Sequence, residues 1–102
     1  CITLLVNNLM FTDGIDIDNA SEEEINELEA YIQDQIKKLM EEVKKTDLYF
    51  VMVTNEIGLG VVPGYKLGRV YCDFVGRINQ MLGKLSDEVY FVVCGIPTKI
   101  KG

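Results

Sequence analysis

The sequence contains no histidine. That removes the commonest general base and the commonest zinc ligand. It also excludes a Ser-His-Asp or Cys-His mechanism built from these residues alone. Only three cysteines occur, Cys1, Cys72 and Cys94, with no C-x-x-C spacing, and they read as reduced intracellular thiols. Positive charge is scarce: 10 Lys and Arg stand against 16 Asp and Glu, a net charge of −6. Those cations are dispersed, so no basic patch is offered to nucleic acid or to an anionic membrane surface. No apolar run approaches the roughly 20 residues of a membrane span. The first residues lack the cationic stretch of a signal peptide, and a cytoplasmic location is the expectation. The chain starts on Cys1 without an initiator methionine, so a processed or truncated piece of a larger protein is expected.

Two nucleotide-binding signatures are missing as well. A P-loop needs G-x-x-x-x-G-K-[ST]. Gly83-Lys84 is the one Gly-Lys pair, but Ile78 stands where the first glycine belongs and Leu85 replaces the hydroxyl residue. The loop Gly58-Leu59-Gly60-Val61-Val62-Pro63-Gly64 is a poor match to the dinucleotide pattern G-x-G-x-x-G, because Pro63 occupies the third glycine position. The acidic stretch around Asp13, Asp16 and Asp18 fails as a calcium loop. Ala20 replaces a ligand there and Ser21 the required glycine, so a solvated loop is the reading.

What is present is ordinary globular composition, 102 residues of which 48% are hydrophobic, enough for one domain. The stretch from Leu48 onward organises it. Leu48 to Val53 is an apolar run ending in the polar trio Thr54-Asn55-Glu56. A glycine loop follows. Tyr65 to Leu85 then carries apolar residues at 67, 70, 71, 74, 75, 78, 81, 82 and 85, the stripe of an amphipathic helix. Val89 to Cys94 is a second short apolar run, read as a buried strand. Two such strands joined by a helix predict a parallel βαβ unit. Ligands of open α/β sheets bind beyond the carboxyl ends of strands, which puts Thr54-Asn55-Glu56 where a site would lie. Glu56 could there serve a base, a metal-bound water or a ribose hydroxyl, or the trio could simply cap the loop through backbone N–H groups.

The rest of the chain reads in order. Cys1 to Phe11 has helical spacing at Ile2, Leu5, Val6, Leu9 and Met10, with a strand over Ile2 to Val6 as the alternative. Ser21 to Lys45 is the clearest helix, opened by a capping box of Ser21 and Glu24 and striped by Ile25, Leu28, Ile32, Ile36, Leu39 and Val43. On the polar side of the later helix Arg69, Asp73 and Arg77 stand at i, i+4 and i+8. They read as a salt ladder, or as arginines free to meet a phosphate or a subunit interface. Gly95-Ile96-Pro97 reads as a break after the strand, and Thr98 to Lys101 as a short, lysine-protected edge strand.

These motifs together resemble the bifunctional adenosylcobinamide kinase/adenosylcobinamide-phosphate guanylyltransferase family of cobalamin biosynthesis. The matching residues are Thr54 to Glu56, Gly58, Gly60 to Pro63, Asp73, Gly76-Arg77, Asn79-Gln80, Asp87 to Tyr90 and Gly95-Ile96. Cys1 to Phe11 is similar to the family segment just after its Walker-B-like strand, so the likeness covers the chain. It implies an α/β fold: part of a RecA-like P-loop fold, a mostly parallel sheet with flanking helices, its upstream strands missing. Residues 1–102 would be the carboxyl-terminal portion of a single kinase/guanylyltransferase domain.

The implied chemistry is phosphorylation of adenosylcobinamide by a nucleoside triphosphate, then transfer of GMP from GTP through a guanylated histidine, giving adenosylcobinamide-GDP. GTP or ATP is the implied substrate and Mg2+ the implied metal, and assembly as a homo-oligomer, a trimer, is implied. The family's P-loop and guanylated histidine have no counterpart here, so no catalytic residue carries over and the chain alone is expected to bind none of these and to be inactive. Asn55 and Glu56 carry over as supports of the nucleotide site, and the glycine loop as a shaper of subunit or corrinoid contacts. The alternative is a non-catalytic oligomerisation or binding module derived from the same family. With so few strands of its own, the chain is expected to associate with copies of itself or with the missing half.

Overall fold

The computed structural model describes residues 1–102 apart from Asp13, Gly58, Leu59, Val61 and Val62. Three helices and one hairpin follow in order: α1 (Ile2–Phe11), α2 (Glu22–Lys44), α3 (Lys66–Leu85), β1 (Val89–Val93) and β2 (Ile96–Lys101). The start of the chain is therefore helical, as its spacing predicts, and not a strand. The three helices pack pairwise on one another around Val6, Met10, Ile32, Ile36, Phe74, Val75 and Ile78, all essentially closed to solvent. α1 is apolar on most sides and fits between its two longer neighbours, which is how so hydrophobic a segment is kept from water.

Helix α2 begins as predicted. The Ser21 hydroxyl accepts the Glu24 backbone N–H at 3.1 Å, and three glutamates occupy the positive first turn. The second half of the capping box is altered: the Glu24 carboxylate accepts the Ser21 hydroxyl at 3.3 Å. The buried row of α2 is Leu28, Ile32, Ile36 and Met40, spaced by four. Such a row winds slowly around the helix, so by the last turn Met40 faces inward and Leu39, placed in the stripe by the sequence, is 38% exposed. In the preceding loop the Asp16 carboxylate accepts the Asp18 backbone N–H at 3.2 Å and the Asn19 amide at 2.6 Å, closing an Asx turn that buries Ile17.

The sheet departs from the expected mostly parallel arrangement. β1 pairs antiparallel with β2, in the register Tyr90↔Lys99, Phe91↔Thr98, Val92↔Pro97 and Val93↔Ile96. Gly95-Ile96-Pro97 is not a break. Cys94 and Gly95 both take positive φ, +52° and +74°, as the two-residue turn of a tight hairpin requires, and Ile96 and Pro97 already belong to β2. Pro97 is tolerated because β2 is an edge strand that need not donate there.

Leu48–Thr54 forms no ladder among the described residues, and Leu48, Tyr49, Val51 and Val53 are each more than 60% exposed. The reason is one of closure. A hairpin across two residues costs little chain entropy, whereas a parallel pairing must close over an entire helix, and a strand apolar on both faces gains only when further strands flank it. β1 is likewise mostly exposed rather than buried. Most of the glycine-loop reading falls on residues 58, 59, 61 and 62, outside the described residues.

This packing predicts a sharp contrast between two neighbours. Met40→Ala is expected to cost about 2–5 kcal/mol in urea unfolding, and Leu39→Ala less than half as much. Equal costs would remove the assigned face of α2.

Candidate functional site

The predicted polar trio lies at a junction of α1, α3 and the segment that ends at Glu56. Helix α1 has no side-chain cap. Instead the Ile2 backbone N–H, one of its otherwise orphaned donors, is accepted by the Val53 carbonyl at 2.8 Å. One residue on, the Thr54 hydroxyl donates to Asn79 Oδ1 of α3 at 2.6 Å. Asn79 Nδ2 donates to the Asn55 carbonyl at 3.0 Å. The Asn55 side-chain amide turns the other way and donates to Thr3 Oγ1 at 3.1 Å. Thr3 is buried at 6% exposure, its carbonyl accepts the Tyr71 hydroxyl at 2.9 Å, and its hydroxyl also meets Cys1 Sγ at 2.9 Å. Residues 53 to 55 are thus stitched to two helices within three positions.

The sequence-predicted site residues fare differently. Asn55 is exposed as a residue, but its side-chain amide nitrogen is engaged by Thr3 of α1. Glu56 is exposed and has no hydrogen-bond partner among the described residues, so its carboxylate faces solvent at the end of the stitched segment. Arg69 is exposed and makes no salt bridge among the described residues.

Arg77 does not join a ladder with Asp73. It forms a two-point pair with Glu29 of α2, Nη2 to Oε1 at 2.9 Å and Nε to Oε2. That hydrogen-bonded carboxylate, with Asp73 adding a weaker field, holds the guanidinium pKa above its ordinary value. A phosphate approaching Arg77 would have to displace Glu29. Sequence spacing could not reveal this partner, because it lies on another helix.

Asn79 is the residue that reading by motif left without a role. Its signal was its position: a poor helix former in the middle of a strong helix, one residue from buried Ile78. Elsewhere two recesses open. One of about 260 Å³ lies between α1 and α3, lined by Phe11, Tyr65, Gly68 and Tyr71 among others. Gly68 is required there, since a Cβ would meet Pro63 Cβ at 2.7 Å and the Tyr65 ring at 2.9 Å. The other, about 320 Å³, is lined by Ile15, Glu24, Glu27, Leu28 and Tyr31. Asn55 and Glu56 line neither. No three Asp, Glu or Cys side chains gather as a metal site among the described residues.

The Glu29–Arg77 pair joins α2 to α3 with the arginine half-exposed and the glutamate mostly covered, so solvent still screens it and its worth is modest. Glu29→Gln is expected to lower stability by about 0.5–1 kcal/mol, and the loss should shrink in 1 M salt as screening grows. A loss independent of salt, measured by urea titration, would contradict an electrostatic tie.

Comparison with known proteins agrees with the motif reading. The chain matches the family described as cobinamide kinase / cobinamide phosphate guanyltransferase over residues 1–100. It is 41% identical over 101 residues to the bifunctional adenosylcobalamin biosynthesis protein CobU of Salmonella typhimurium, covering 99% of this chain and 55% of that protein. The protein of the same name from Escherichia coli is 40% identical over 101 residues, again 99% and 55% of the two chains. The bifunctional adenosylcobalamin biosynthesis protein CobP of Pseudomonas aeruginosa is 30% identical over 102 residues, all of this chain and 51% of that one. The chain thus spans about half the length of the curated relatives it matches. With two distant motif blocks meeting at Thr54 and Asn79, and the family matched almost from end to end, this chain belongs to the cobinamide kinase / cobinamide phosphate guanyltransferase family.

Proposed function

We propose that these residues are the carboxyl-terminal part of an enzyme that phosphorylates adenosylcobinamide and then transfers GMP from GTP to adenosylcobinamide phosphate. The observation that carries this reading is the family match over residues 1–100 together with the absence of any histidine or complete P-loop in the same residues. The chain is a scaffold for chemistry whose phosphate grip and nucleotide carrier come from elsewhere. Asn55 and Glu56 support the nucleotide end: the first anchors the segment and the second offers a solvent-facing carboxylate. Arg69 is the freer of the two arginines to meet a phosphate or a neighbouring subunit. Nucleoside triphosphate, as GTP or ATP, is the substrate on this reading, with magnesium as the accompanying metal.

The exposed apolar segment fits the same picture. Leu48, Tyr49, Val51 and Val53, and on the hairpin Val92, Ile96 and Ile100, are each at least half exposed. Exposed apolar side chains in such number favour a partner, and an unpaired apolar strand is a template for pairing. Leu48–Val53 is proposed as a strand of a larger RecA-like sheet, completed by upstream strands. Assembly as a homo-oligomer, a trimer, would cover more of it. A module that only associates, without catalysis, is the second reading, and this exposed surface is what favours it.

Incubation with GTP labelled at the α-phosphate separates the two. The 102-residue chain alone is expected to take no covalent label. The chain joined to the upstream part of the Salmonella typhimurium relative is expected to become labelled. A labelled isolated chain, or an unlabelled though folded joined protein, would overturn the enzyme reading. Size-exclusion chromatography with light scattering tests the surface: the isolated chain is expected to run as an oligomer, and Val51→Lys to shift it toward monomer. A monomer that binds no apolar dye would contradict the assignment.

A further inference from the structure

The structure assigns Asn79 a task that nothing in its motif announces: we propose that it is the positioning residue that fixes where Glu56 stands. This rests on the proposed role of Glu56 at the nucleotide end. Asn79 is placed on α3 between buried Ile78 and Leu82, so its backbone is held by the core. Its amide makes two bonds to consecutive residues of the segment, accepting from the Thr54 hydroxyl at 2.6 Å and donating to the Asn55 carbonyl at 3.0 Å. The two bonds fix the amide's orientation, because a carbonyl can only accept and must face the NH2 group. The amide sets an acceptor and a donor side by side, which these two bonds need at once. Aspartate would keep the first bond and set an oxyanion against the carbonyl. Leucine would lose both. Glutamine would carry the amide too far by one methylene.

The consequence falls on the next residue. Thr54 and Asn55 are pinned on one side by Asn79 and on the other by Thr3 through the Asn55 side chain. Glu56 follows them directly and has no partner of its own among the described residues. The position of its backbone is therefore set by the clamp before it, together with Ile57 after it, which packs against the core. Asn79 touches no reacting atom. It acts by holding the backbone that presents Glu56, and a misplacement of about 1 Å is enough to cost about 10²-fold in rate.

Two measurements test this. In the 102-residue chain, ¹⁵N relaxation reads the backbone order parameter at Asn55, Glu56 and Ile57. Wild type is expected near the rigid value of about 0.85, and Asn79→Leu and Thr54→Val below about 0.6. Thr54→Ser, which keeps the hydroxyl, should retain the rigid value, as should Glu29→Gln, which cuts a different tie of α3. Unchanged order in Asn79→Leu, or equal loss in Glu29→Gln, overturns the proposal. In the joined protein of the labelling test, Asn79→Leu should lower kcat/KM for GTP by about 10²-fold. The same substitution should do little further harm in a Glu56→Gln background, because both act on one carboxylate. An equal additional loss there overturns the proposal. Glu56→Gln with unchanged kcat/KM instead removes the role of Glu56, and the order parameters then decide the clamp alone.

Discussion

Helices α1, α2 and α3 meet around Val6, Ile32 and Ile78, which have no exposed surface, and everything else in this chain hangs from that contact. It is a purely apolar meeting, driven by removing side chains from water and sharpened by close packing. Its consequence for chemistry is geometric. Once α1 is lodged between its neighbours, Thr3 and Tyr71 face one another, and Asn79 comes to lie over the end of the segment that leads to Glu56. The polar junction is thus a by-product of the apolar one. Each buried polar group in it finds a partner, and no buried side-chain nitrogen or oxygen is left unsatisfied among the described residues.

What could be read from the chain followed a simple division. Helices were legible because their period is local: the stripes of α2 and α3 and the Ser21 cap can be seen in twenty residues at a time. Pairing was not legible, because it is a relation between distant parts. Leu48–Val53 has the composition of a buried strand, but composition does not supply the neighbour a strand requires. The hairpin was hidden for a different reason. A left-handed Cys94 is rare outside glycine and asparagine, so Cys94-Gly95 did not announce a turn, and Pro97 masqueraded as a stop.

The site shows the same division. Thr54, Asn55 and Glu56 could be picked out as the polar end of an apolar run. That Asn55 turns its amide inward and that Arg77 is held by Glu29 depend on which helix faces which. Asn79 is the instructive case. Its cost to helix propensity is visible in the sequence, and such a cost in a well-formed helix is a sign that the side chain is wanted for something. The family relation sets the scale: the chain spans about half the length of its curated relatives.

The hairpin's attachment has a mechanical meaning. Lys101 places its ammonium between the carbonyls of Gly83 and Lys84, 2.9 Å from each, at the negative end of α3. The root of the hairpin is riveted there while its tip at Cys94-Gly95 stands in solvent. A two-stranded ribbon held at one end leaves its other end to solvent, and its footing is the last turn of α3. That helix also carries Asn79, so the root of the ribbon and the Thr54–Asn55 junction are fastened to one rod.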